Sequence, residues 1–372
     1  MKKAALAIFI FYSLTSTAQL FDKPNNMLLV KKGVESIYNI EMDTADIYIK
    51  KVEAILPGHP AVPMMRALKI LWKYIPIVTA DTIFRDFTYE LREVIRLSAA
   101  MDGGRQSHPE AIFFEMSARG LLAEYYADEG QYMKALSEAG KAYDLVKKGF
   151  ELSESIPEFL LTSGVYNYFR EKYPEKYPIY KPFLWFFKSG NTKLGLEQIH
   201  EATEKAVLTN VEAYIYMGYI YLRYEYQPKK AQQYLWEINR KYPNNIYIQT
   251  KLLESLANPK DFAKAPINMI TELIAESRPY YKMAGHMYYG YYLEKVKNQP
   301  NDAFAYYSKT LMLGGLIEGH AEYSRDMARL GLARIYIARD EKSLAREHLE
   351  NVLSDSDSEA LKEEAEALLD KI

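Results

Sequence analysis

The sequence predicts an all-helical protein assembled from stacked helix pairs, and three observations carry that expectation. Apolar residues recur at spacings of three and four along most of the chain, whereas the two-residue alternation of half-buried strands is rare. Prolines fall between the periodic runs, at Pro57, Pro60, Pro109, Pro157, Pro228, Pro243, Pro259, Pro279 and Pro300. Because proline lacks an amide hydrogen and clashes inside a helix, these positions leave helices of roughly 15 to 25 residues. Small residues also return at fixed offsets: Gly33, Ala45 and Pro57; Ala231 and Pro243; Gly218 with Ala231; Gly290 with Ala303.

Taken in order, the chain opens with Lys2 and Lys3, an uncharged and mostly apolar run from Ala4 to Leu14, and the small residues Thr15, Ser16, Thr17 and Ala18. That three-part pattern predicts a signal peptide over residues 1–18 and a mature chain from Gln19. A run of about eleven residues is too short to span ~30 Å of hydrocarbon, which needs ~20. No later stretch reaches that length, and alternating barrel strands are absent. The expectation is an exported protein of the bacterial periplasm or cell exterior, with peripheral membrane contact left open.

Composition narrows the chemistry. Forty-seven basic residues stand against 49 acidic ones, so there is no positive surplus for nucleic acid. The 372 residues include no cysteine, which excludes disulfides, cysteine-ligated zinc, thiol catalysis and a lipidated N-terminal cysteine. The six histidines form no H-E-x-x-H helix, and nucleophile-elbow, Walker A and G-x-G-x-x-G motifs are missing. The sequence therefore predicts no catalytic residue, metal ligand or cofactor.

The residues 19–372 read as one helical repeat domain. Val211, Tyr214, Ile215, Gly218, Tyr219 and Leu222 share one helical face, as do Ala328, Leu332, Ile335 and Tyr336. The marker alanines 45, 135, 231, 303 and 345 are separated by 90, 96, 72 and 42 residues. Two helix pairs in each of the first three gaps give about eight antiparallel pairs between Asn26 and Asp355, followed by a polar closing helix at about 358–371. One stretch breaks the rhythm. Between about 171 and 190, Pro174, Pro178 and Pro182 alternate with aromatic residues including Trp185 and Phe186. It reads as a turn-rich insertion, either packed into a neighbouring groove or offered as an apolar binding or membrane-touching surface.

From Met116 to Gly149, the residues Leu122, Ala123, Tyr126, Gly130, Tyr132, Ala135 and Ala142 stand where the tetratricopeptide (TPR) repeat places them. Leu332, Ala333, Tyr336 and Ala345 repeat the device between Arg325 and Asp357. The chain resembles an irregular, exported member of that family. The resemblance implies a right-handed superhelix, an α-solenoid, whose first helices line one long concave face that holds a peptide or partner helix. It puts Glu124, Asp128, Tyr291, Glu294, Lys295 and Arg334 on that face, and Tyr219 and Arg223 with them if Gly218 sets the register. Gly120 and Glu124 stand where the carboxylate-clamp subclass carries lysine and asparagine, a departure from that subclass.

The 33 tyrosines crowd into runs such as Tyr214 to Tyr226 and Tyr280 to Tyr292. Neighbours one and two apart diverge on a helix, so each run must supply both core and surface. Tyrosine is a stiff contact residue with a polar tip, suited to interfaces. The function expected is a non-enzymatic scaffold for a protein or peptide of the bacterial envelope, with partner contacts that include Trp185 and Phe186. The alternatives are a glycan- or nutrient-binding receptor and an all-helical hydrolase, the latter needing two close acids beside a tryptophan.

Overall fold

The computed structural model describes residues 20–76, 82–176, 178, 181, 187–317 and 320–372. Residues 1–18, the expected signal peptide, and Trp185 and Phe186 of the insertion lie outside the described residues.

The described residues form 18 α-helices and no strand. Eight consecutive pairs account for them. These are α1 (Pro24–Tyr38) with α2 (Met42–Ile55), α3 (Ala61–Tyr74) with α4 (Thr82–Asp102), α5 (Pro109–Asp128) with α6 (Tyr132–Leu152), and α7 (Leu160–Lys176) with α8 (Thr192–Lys205). Next come α9 (Asn210–Arg223) with α10 (Pro228–Lys241), and α11 (Ile246–Ser255) with α13 (Ile267–Ala275), the single turn α12 (Pro259–Phe262) lying between them. Finally α14 (Pro279–Lys295) pairs with α15 (Pro300–Gly314), α16 (Glu322–Ala338) with α17 (Lys342–Asp355), and α18 (Glu359–Leu369) closes the array.

Local chemistry sets the boundaries. Pro24, Pro109, Pro228, Pro259, Pro279 and Pro300 each begin a helix, where the missing amide hydrogen is no loss. Asn191, Asn245 and Asn258 cap α8, α11 and α12 by accepting backbone N–H bonds with their side-chain oxygens. Five pairs share one turn. Ile40, Gly130, Tyr226, Asn298 and Asp340 take left-handed backbone angles, and the next residue donates its amide back into the first helix. In each case a buried alanine follows five positions later: Ala45, Ala135, Ala231, Ala303 and Ala345. The markers legible in the sequence are thus one structural position repeated, the contact at which the second helix meets the first. Gly290 shows how close that contact is, since a Cβ there would stand 2.9 Å from the Tyr307 ring of the paired helix.

The insertion differs from expectation. Helix α7 was expected to end at Arg170, but it continues through Pro174 to Lys176. The proline lies in the last turn, where little helix remains for it to disrupt. The chain then returns under tight control. Phe187 packs edge-on against Tyr143 at 4.8 Å, Tyr166 donates to the Lys188 carbonyl at 2.5 Å, and Gly190 N donates to Glu171 at 2.8 Å.

The larger departure is that the array curls onto itself. Asn245, fully buried, caps α11 with Oδ1 while its Nδ2 donates to the Tyr38 carbonyl at the end of α1, 2.8 Å away. Trp72 at the end of α3 meets Tyr247 of α11 edge-on at 5.8 Å. Arg278 and Tyr281, at the start of α14, donate to the carbonyls of Lys73 and Ile75 at 3.0 and 2.9 Å. The first and second pairs therefore rest on the sixth and seventh, and a single core joins residues of α1–α6 to Val211, Tyr242 and Ile248. A long open concave face was expected; the seam closes part of it. No described helix is long and apolar enough to cross a membrane.

Candidate functional site

The first helices of successive pairs turn one face inward, and on α9 that face is a continuous stripe. Glu212, Tyr216, Tyr219 and Arg223 follow one another at helical spacings of four, three and four. Eleven residues at 1.5 Å each place the two ends about 16 Å apart. Around this stripe stand Glu124 and Asp128 of α5, Phe169 of α7, Tyr247, Lys251 and Glu254 of α11, and Tyr323 of α16.

At the Arg223 end every charge is answered. Arg223 forms an ion pair with Glu254, whose side chain is 5% exposed, and its guanidinium lies over the Tyr323 ring at 4.9 Å. Lys251 reaches the same carboxylate at 3.2 Å. Burial pushes Glu254 upward, but the two cations outweigh it and hold the carboxyl below its ordinary range.

The other end is built differently. Among the described residues, Glu124, Asp128 and Glu212 have no ion pair and no side-chain hydrogen bond to another residue. Burial, reinforced by Asp128 one turn away, pushes Glu124 up to about 7. Glu212 is pushed by burial up to about 8, against the pull of its own backbone amide, and its Oε2 is sealed from solvent with no hydrogen-bond partner. Asp128 is raised chiefly by burial; His320 lowers it and Glu129 adds to the rise. Glu124, followed by burial and Glu212, holds the Tyr216 phenol well above its usual range. Yet Glu124 and Asp128 keep contact with solvent. Glu124, Asp128 and Tyr219 are exposed, while Glu212 and Tyr216 are half-buried. Exposure thus falls from Asp128 and Glu124 to the half-buried Glu212, whose Oε2 is enclosed. Among the described residues, no three His, Asp or Glu side chains gather closely enough to hold a metal ion.

The structure thus brings together four of the residues expected from sequence: Glu124, Asp128, Tyr219 and Arg223. Tyr291, Glu294, Lys295 and Arg334 are engaged in other contacts, and Trp185 and Phe186 lie outside the described residues. Tyr291 is buried, its ring edge-on to Phe262 at 5.0 Å, and belongs to the core. Glu294 and Arg334 face each other in a two-point ion pair at 2.6 and 2.7 Å. Tyr307 donates to Glu294 at 2.7 Å, Lys295 approaches it at 3.0 Å, and Arg334 also reaches Glu364 of the closing helix at 2.5 Å. That network ties α14, α15, α16 and α18 together, so its charges are spent on one another. The sequence reading missed Glu212, Tyr216, Tyr247 and Lys251. The α9 stripe was the available signal, because Glu212 and Tyr216 precede Tyr219 and Arg223 on the same face.

A second buried carboxylate serves the fold. Glu110 accepts the Phe21 amide at 2.8 Å and a bond from His59 Nε2 at 2.8 Å, while His59 Nδ1 accepts the Ala61 amide at 3.1 Å. The amide fixes the tautomer with its proton on Nε2, aimed at Glu110. This pair pins Phe21, at the start of the described chain, to α5. A scan of protein-family models finds no match to the chain, and a search of curated proteins finds none.

Proposed function

We propose that this protein is an exported, TPR-like, non-enzymatic scaffold that holds a segment of a protein or peptide partner in the bacterial cell envelope. The observation that carries the reading is the exposed to half-buried stripe of α9 and the acids beside it. Among the described residues the hydroxyls of Tyr216, Tyr219 and Tyr247 make no hydrogen bond, and Tyr216 has both Glu124 and Glu212 near it, acids with no ion pair there. Stiff aromatic rings with free polar tips give contact area at low entropic cost, and buried charge without a partner is costly unless a ligand completes it. A side chain whose hydrogen bonds are already made, as at Glu294 and Arg334, has little to offer a partner.

The hydrolase alternative has one point in its favour, two acids beside the same tyrosine. Glycoside cleavage needs one acid protonated and the other ionised. Carboxyls at about 7 and about 8 are both largely protonated at pH 6, which favours binding over that chemistry.

The test is cross-linking of the tagged protein in cells, followed by mass spectrometry of what it captures. The comparison is a variant with Tyr216→Ala, Tyr219→Ala and Tyr247→Ala, shown by circular dichroism to remain helical. The scaffold reading expects one or two envelope proteins with the native chain and their loss in the variant. Recovery of the same proteins by both would place the binding surface elsewhere, and recovery of abundant background alone would end the reading.

A further inference from the structure

We propose that the seam between the first two helix pairs and the sixth and seventh is a clasp, which opens as one unit while the pairs on both sides stay folded. Opening uncovers Trp72, Tyr242 and Tyr247 for a bound segment, and this second step rests on the scaffold reading above.

The first argument is what the polar contacts across the seam are worth. Asn245 donates to the Tyr38 carbonyl at 2.8 Å, Arg278 to that of Lys73 at 3.0 Å, and Tyr281 to that of Ile75 at 2.9 Å. The Asn244 amide donates to Asn39 Oδ1 at 3.3 Å. The three carbonyls lie at the ends of α1 and α3, where no intrahelical donor remains and water can take the place of the side chain. Arg66, Lys69 and Arg278 find their acids, Glu53, Asp46 and Glu276, on their own side, and no ion pair crosses the seam among the described residues. Junctions between successive pairs are sealed differently. Glu158, 3% exposed, accepts the amides of Val207, Leu208 and Thr209 at 2.7, 3.0 and 3.2 Å, and Arg334 grips Glu294 between α16 and α14. Breaking those junctions strands a buried charge, whereas parting the seam strands none.

The second argument is a pair of orphaned donors inside the seam. Tyr38 is fully buried, Trp72 is 5% exposed, and their rings meet edge-on at 5.1 Å. Neither the Tyr38 hydroxyl nor Trp72 Nε1 has a hydrogen-bond partner. A buried donor left unpaired costs free energy, which hydration on opening returns. Closure is therefore held chiefly by ring burial, with Tyr38 against Tyr242 and Trp72 against Tyr247, each at 5.8 Å.

The third argument is the architecture. In stacked helix pairs each pair touches mainly its neighbours, and curvature is the sum of small rotations between them. The two sides of the seam are joined along the chain through the third to fifth pairs, so slight rotations there separate them without melting a helix. Openings of this kind lie below global unfolding in free energy.

The test is double electron–electron resonance on the full-length mature chain, whose lack of cysteine leaves introduced thiols as the only labelling sites. Lys51→Cys with Thr271→Cys spans the seam, and Lys51→Cys with Arg85→Cys stays on one side of it, all three positions being exposed. In urea too dilute to reduce the helical circular dichroism, the spanning pair should show a second, longer distance whose share grows at least threefold. The one-sided pair should keep a single distance. Tyr38→Phe removes the orphaned hydroxyl and should lower the open share at least threefold at the same urea concentration. One distance across the seam until the helices melt, lengthening of both pairs together, or an unchanged share in Tyr38→Phe would overturn the proposal. These distances need no partner, so such a failure leaves the scaffold reading standing. In cells, Tyr38→Phe should reduce recovery of the captured partner at least twofold, and undiminished recovery would overturn the part of the clasp in binding.

Discussion

The two ends of the α9 stripe contain similar side chains under opposite electrostatic conditions. At Arg223 the fold supplies a carboxylate, a second cation and an aromatic ring, so three buried groups satisfy one another. At Glu212, about 16 Å away along the same helix, it supplies tyrosine rings and further acids but no cation. In an array whose repeats are otherwise alike, this contrast separates a stabilising end of the helix from one open to a partner. A completed network stabilises the stack, and an incomplete one marks where the fold tolerates a cost that a ligand can offset.

The largest expected effect comes from breaking a completed network. Arg334→Ala leaves Glu294 with Lys295 and Tyr307 but without its two-point partner, and should cost about 3–5 kcal/mol in urea denaturation. A loss below 1 kcal/mol would mean that the network does not hold the closing helix.

Arg223→Ala comes next, with an expected loss of about 2–3 kcal/mol, because Glu254 keeps only Lys251. Glu212→Gln should act in the opposite direction. The folded carboxyl sits at about 8, above its unfolded value, so the native state keeps a proton that the unfolded chain has lost. Stability from this group is full below about 4.5 and declines as pH rises towards 8. Denaturation between pH 5 and 9 should show that decline, on the order of 4 kcal/mol, in the native protein and a flatter profile in Glu212→Gln. The two substitutions moving stability in the same direction at pH 8 would remove the contrast between the ends. Tyr216→Phe should change stability by no more than about 0.5 kcal/mol in the same assay, since its hydroxyl bonds to nothing among the described residues.

Much of this architecture was legible in the sequence, for a physical reason. Where two helices of a pair are joined by a tight turn, one left-handed residue and one small residue five positions later are obligatory, and Ala45, Ala135, Ala231, Ala303 and Ala345 betray them. The second, fourth and sixth pairs are joined by longer connections, which impose no such spacing, and there the reading placed the end of α7 too early. The curl was not legible at all. It depends on single contacts between residues some 205 apart, such as Asn245 with Tyr38 and Arg278 with Lys73, and periodicity carries no information about these. The same limit explains the site. Helical spacing can align Glu212 with Arg223, but only the folded chain shows that Arg223 meets Glu254 of α11 while Glu212 meets no cation among the described residues.

The most direct measurement of that contrast is the titration of Glu212 itself. Carbon-13 labelling of glutamate side chains, with Glu212→Gln to assign the resonance, follows its carboxyl through pH 4 to 10. One carboxyl resonance, missing in the variant, should titrate near 8. Titration at the ordinary value of about 4.3 would show a solvated or already partnered carboxylate, and the contrast between the two ends of the stripe would be lost.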